Sequence, residues 1–138
     1  MKNPLCENGG FFYVLGRSME ALQSIREAWH EAFFLDNLEL FEFLKHRNFS
    51  SEIEGYVLNK QEHKKNVELL ISRRKLNIQT VQKTDTNVQT IRNGNSVCIS
   101  GVAHITINAK VSTTHRFLEV WVLEKNQWKI IYYSSLKN

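Results

Sequence analysis

The chain has 138 residues, of which 42% are hydrophobic and 23% charged, with Lys plus Arg at 18 against Asp plus Glu at 14 for a net charge of +4. That balance excludes a disordered chain, and the length is enough for one domain with its own core and no disulfide or metal staples. No apolar run approaches the roughly 18 residues a membrane helix needs, so no spanning segment and no membrane partner are expected.

The basic residues cluster only at Lys64-Lys65 and Arg73-Arg74-Lys75. Neither cluster interleaves with aromatics as a single-strand binding groove would, so they read as a solvated helix face and its exit, with no nucleic-acid partner. The two cysteines, Cys6 and Cys98, are too few for a structural zinc site, and no histidine lies at metal-motif spacing from either. They read as reduced thiols in a cytoplasmic protein that needs no cofactor.

Residues 1–17 read as an N-terminal extension, a tail or an added strand. Phe11 to Leu15 is too short an apolar core for a secretory signal. From 18 to 138 the chain reads as a single domain. Leu22, Ile25, Trp29, Ala32 and Phe33 recur at helical steps behind a Ser18 N-cap. Asp36-x-x-Glu39 predicts the capping box of a second, short helix, ended by polar residues from Arg47 to Ser51. Gly55 to Leu58 reads as extended. Asn59-x-x-Glu62 opens a third helix with His63, Val67, Leu70 and Ile71 on its buried stripe and an end near Ser72.

Beyond Lys75 the period becomes two, first at Ile78 and Thr80, then at Val88 and Thr90. Asn93-Gly94 predicts a type I′ hairpin turn. Val97 to Ile107 alternates cleanly, Val111-Ser112 and Asn126-Gln127 read as turns, and Trp128 to Tyr133 forms the last strand. The expected fold class is α+β: three N-terminal helices packed in a strongly curved antiparallel sheet of four to six strands.

The stretch Arg116-Phe117-Leu118-Glu119-Val120-Trp121 through Trp128-Lys129-Ile130 resembles the R-x-x-x-V-W-x-x-x-x-G-x-W-K-I ending of nuclear-transport-factor-2-like domains of the SnoaL-like type, also called cystatin-like cones. Trp29, Ala32, Asp36 and Gly55 fit the first half loosely. The resemblance implies a cone with a pocket at its mouth and a homodimer formed through the outer sheet face. It implies no particular reaction, since such domains include isomerases, dehydratases and association modules.

Glu119 interrupts an apolar strand, so it must be partnered, set at the pocket or left on a rim. If Val111-Ser112 and Asn126-Gln127 are two-residue loops, His104 lies opposite Glu119, Glu119 opposite Ser134 and Trp121 opposite Tyr132. One face then carries Val102, His104, Glu119, Trp121, Tyr132 and Ser134. The other carries Ala103, Ile105, Leu118, Val120, Ile131 and Tyr133. The first face, with Trp29, Phe33 and Tyr56, is the expected wall of a pocket for a small apolar or acidic ligand. His104 and Glu119 are the candidate acid/base pair, with a structural hydrogen bond as the plainer reading of the same two residues.

Asp36 as a cap, Glu52 and Glu54 in a solvated loop, and His63 in the core are the simpler readings of those residues. Arg116 suits either a ligand carboxylate or the surface. The leading functional reading is a small-molecule-binding cone without assignable catalysis. The alternatives are a protein-association module and an isomerase or dehydratase using Glu119 or His104.

Overall fold

A computed structural model of the protein describes residues 16–77 and 80–138. Cys6, the Phe11 to Leu15 stretch and Ile78 lie outside the described residues. Helix α1 spans Met19–Phe34, and the Ser18 hydroxyl accepts from the Ala21 N–H at 3.0 Å, as its N-cap position predicts. Its face of Leu22, Ile25, Trp29 and Ala32 is buried.

Helix α2 is short, Leu38–Phe43, and its cap is Asn37, whose side chain accepts from the Leu40 N–H at 3.2 Å. Asp36 does not cap it. Its backbone takes a positive φ of 60°, and its carboxylate receives the Arg74 guanidinium at 2.6 Å. The polar stretch expected to be loop is strand β1, Lys45–Ile53, joined through Glu54-Gly55 to β2, Tyr56–Asn59. The Asn59 capping box closes in both directions: the Asn59 N–H donates to Glu62 at 2.9 Å, and the Glu62 N–H donates to Asn59 at 2.8 Å. Helix α3 then runs Lys60–Asn77, past the expected end at Ser72.

Four long strands follow: β3 Val81–Asn93, β4 Ser96–Ile107, β5 Lys110–Glu124 and β6 Gln127–Lys137. The six strands form one open, curved sheet in the order β2-β1-β6-β5-β4-β3. The sheet is mixed, not antiparallel as expected, because β1 lies parallel to β6. Register shifts place the extra residues on β1, β3, β5 and β6, and such bulges bend and twist the strands they occupy. The concave face closes on α1 and α2 through Phe41, Leu44, Phe49, Val97, Phe117, Trp121, Trp128 and Ile130.

The turns differ from the expected ones. The β3–β4 loop is Gly94-Asn95, flanked by paired Asn93 and Ser96, with only Gly94 at positive φ; that is the type II′ pattern. The β4–β5 loop is Asn108-Ala109, and the β5–β6 loop is Lys125-Asn126. All four of those residues have positive φ, as type I′ turns require. These positions reset the register. Glu119 stands opposite Ile99 and Tyr133, and His104 stands opposite Thr114.

Candidate functional site

Glu119 is fully buried at the base of the concave face. Its Oε1 accepts from Arg26 Nε at 2.8 Å and from Trp121 Nε1 at 2.9 Å. Its Oε2 accepts from Arg26 Nη2 at 2.9 Å and from His30 Nε2 at 2.8 Å. Burial alone would raise the Glu119 carboxyl, but the His30 and Arg26 donors bring it down to about 2. Arg26 also donates to Asp85 at 2.9 Å, and Lys83 reaches Asp85 at 2.8 Å. The cluster therefore ties α1 to β3 and β5.

Burial lowers the His30 imidazole against the opposing pull of Glu119, which favours the neutral ring. A carboxylate can only accept, so Nε2 carries the proton and Nδ1 keeps its lone pair.

Above this cluster lies a cavity of about 570 Å³. Its walls are mainly Trp29, Phe33, Phe34, Phe41, Ile105 and Tyr133, with His30, His63, His115, Lys83, Arg73 and Arg74 as the ionisable lining. No carboxylate lines it among the described residues. Trp29 stacks on Phe41 at 4.8 Å between ring centroids and meets His30 edge-on at 5.0 Å. Phe41 in turn stacks on His63 at 6.0 Å.

His63 has a charged partner of its own. Lys45, whose side chain is fully buried, places Nζ 2.6 Å from Glu42 Oε2 and 2.7 Å from His63 Nδ1. The ammonium sits over the Phe41 and Phe49 rings at 4.8 and 4.9 Å. Burial lowers Lys45 to about 8 against the pull of Glu42, and burial with the neighbouring ammonium lowers His63 to about 3.

Of the residues expected at the site, Trp29 and Phe33 line the cavity, while Glu119 and Trp121 lie fully buried beneath it. The register separates the remainder. Neighbouring residues of a strand point to opposite faces, so Leu118 with its partner Ser134, and Val120 with Tyr132, face away from Glu119. His104 shares that outer face and lies within 2.9 Å of the Thr86 hydroxyl, so it does not meet Glu119. Ala103, Ile105 and Tyr133, expected on the outer face, instead line the cavity. Tyr56 is 74% exposed on the edge strand β2.

Glu52 accepts from the Tyr132 hydroxyl at 3.2 Å, and Glu54 accepts from the Lys137 N–H at 2.8 Å. Arg116 is exposed on the outer face. Sequence reasoning missed Arg26 and His30. The available signal was their position: both fall within one helical turn of Leu22, Ile25, Trp29 and Phe33, on the face that α1 buries. Among the described residues no group of three or more His, Cys, Asp or Glu could hold a metal, and no helix is long and apolar enough to cross a membrane.

The chain has the nuclear-transport-factor-2-like, or cystatin-like, fold that the resemblance implied. A nuclear-transport-factor-2-like protein from Cytophaga hutchinsonii superposes with a TM-score of 0.72 at 17% identity, over 88% of this chain and 99% of that one. A protein of unknown function with a cystatin-like fold from Nostoc punctiforme gives 0.69 at 6% identity, over 85% and 88%. A candidate dehydratase of the same fold from Streptomyces avermitilis gives 0.74 at 15% identity, over 85% and 93%. No family model matches the sequence, and no curated protein does.

Proposed function

We propose that this protein is a small-molecule-binding cone domain. The observation that carries the reading is the cavity of about 570 Å³, which is aromatic on most of its wall and edged by a few histidines and cations. Ligand sites combine those features, apolar walls with few convergent polar groups, at roughly 300–1,000 Å³. Half-buried Leu118, Val120 and Val122 alternate along the outer face of β5, and a second copy packed there makes the protein a homodimer. The exposed, free Cys98 thiol fits a reducing compartment such as the cytoplasm.

The test is titration with anilinonaphthalene sulfonate, followed by its fluorescence and by native mass spectrometry. Saturable binding at one probe per chain is expected. An Ile105→Trp variant, which adds bulk to the cavity wall, loses that binding while its melting transition holds. Absence of saturable binding to the unaltered protein overturns the reading.

A second reading is an acid/base enzyme, in line with the candidate dehydratase among the neighbours. The observation in its favour is the His30–Glu119 pair, in which the carboxylate orients the imidazole and leaves Nδ1 as the basic atom. Glu119 itself is a poor base, because four donors hold it ionised. His30 is then the base, and His30→Gln abolishes turnover while keeping ligand binding. Unchanged turnover in that variant removes the reading.

A further inference from the structure

Two histidines on the cavity wall are locked by partners of opposite charge. His30 Nε2 is 2.8 Å from the Glu119 carboxylate, and its ring is otherwise bonded to nothing among the described residues. His63 Nδ1 is 2.7 Å from the Lys45 ammonium, and its other nitrogen likewise has no partner among the described residues. A carboxylate accepts and an ammonium donates, so both rings carry their proton on Nε2. They are turned opposite ways, however. His30 has spent its N–H and keeps a lone pair on Nδ1. His63 has spent its lone pair and keeps an N–H on Nε2. The glutamate contact of Lys45 at 2.6 Å keeps the amine in its donating, ammonium form.

The two rings belong to one aromatic wall, in the order His30, Trp29, Phe41, His63. A flat ligand lying along that column sets its own π-face against the ring edges, the edge-to-face contact, and meets a polar group of different sign at each histidine. The rest of the ionisable lining adds His115, Lys83, Arg73 and Arg74 and no carboxylate; Lys83 and Arg74 keep Asp85 and Asp36 as partners, and Arg73 adds a cation that favours a negative group over a positive one.

We propose that the cavity takes a planar aromatic acid that also carries a hydroxyl, the hydroxyl donating to His30 and the carboxylate or a conjugated carbonyl accepting from His63. This rests on the small-molecule-binding reading and names the ligand class for that same cavity. Each histidine selects one end of the ligand, because the wrong group would leave a buried donor facing a donor, or an acceptor facing an acceptor.

The experiment compares para-hydroxycinnamate, cinnamate and para-propenylphenol by calorimetric titration. Para-hydroxycinnamate is expected to bind about tenfold more tightly than either probe lacking one group, the ratio one well-made hydrogen bond supplies. His30→Phe should erase the advantage over cinnamate alone, and His63→Phe the advantage over para-propenylphenol alone. Nitrogen-15 NMR of the unaltered protein should show both histidines neutral with the proton on Nε2, a readout that survives if either variant fails to fold. Equal affinity for the three probes overturns the inference but leaves the binding reading standing. So does failure of all three where anilinonaphthalene sulfonate still binds. Failure of that dye as well overturns both. A proton found on Nδ1 of His63 also overturns the inference.

Discussion

Arg26 and Glu119, 93 positions apart in sequence, form a two-pronged buried ion pair at 2.8 and 2.9 Å, with the glutamate wholly out of solvent. Burial opposes any shift of Arg26 upward, yet Glu119 and Asp85 together hold its charge in place. The pair pins the middle of α1 to β5, and it holds His30, one helical turn further along, against the same carboxylate.

Removing one half of that pair should be costly. Glu119→Gln keeps the shape but leaves a guanidinium buried against a neutral amide, and it should destabilise the protein by about 3–5 kcal/mol in urea unfolding. The double variant Arg26→Met/Glu119→Leu removes both charges and should lose less than Glu119→Gln alone. A larger loss in the double variant would show that the pair itself stabilises the fold.

Stability should fall on the acid side. Unfolded His63 takes a proton near 6.5, while the folded ring resists until about 3. Across that window the unfolded form binds more protons, so lowering the pH favours unfolding, by roughly 2 kcal/mol at pH 5 from this residue. The lowered His30 acts in the same direction, and Glu119 adds to it below 4.5. Urea midpoints between pH 7.5 and 4.5 should therefore decline in the unaltered protein and decline less in His63→Gln.

Gly101 tests the close approach of β3 and β5 to β4. A Cβ there would lie 3.0 Å from the Thr86 carbonyl oxygen and 3.1 Å from the Phe117 ring. Phe117 is buried and cannot swing away, so Gly101→Ala should cost about 1–3 kcal/mol through overpacking. Thermal unfolding reads this directly.

The β4–β5 turn offers a stabilising change. Ala109 is held at a φ of 68° with no side-chain group to support that conformation. Ala109→Gly should gain about 1 kcal/mol, or roughly 3 °C in melting temperature. An unchanged or lower melting temperature would mean that the strain is absent.

Particular elements show where sequence reading succeeded. Ser18 and the Asn59–Glu62 box are local devices, each satisfied by atoms within three residues, and both formed as expected. Strand β1 was hidden because its residues are polar. Lys45, His46 and Ser51 are buried only because Glu42, His63, Glu124 and strand β6 lie beside them.

The site was legible at single residues and not in its assembly. Glu119 could be recognised as a carboxylate needing partners, and Trp29 and Phe33 as inward-facing aromatics. Its partners could not be chosen, because cross-strand pairing depends on turn position. Two non-glycine turns at Asn108-Ala109 and Lys125-Asn126, with a bulge beyond each, moved the pairing off the expected register. That displacement took His104, Tyr132 and Ser134 to the outer face and brought Tyr133 and Ser135 inward.

By itself the sequence determined the buried face of α1, the caps at Ser18 and Asn59, the α+β class and the demand that Glu119 be partnered, because these follow from period, from local hydrogen bonding and from the cost of burying a charge. The tertiary structure alone decided that Arg26 and His30 answer that demand, that Lys45 turns His63, and that a cavity opens between α1, α3 and the sheet. Such contacts join residues far apart in sequence, and no local propensity specifies which of them will meet.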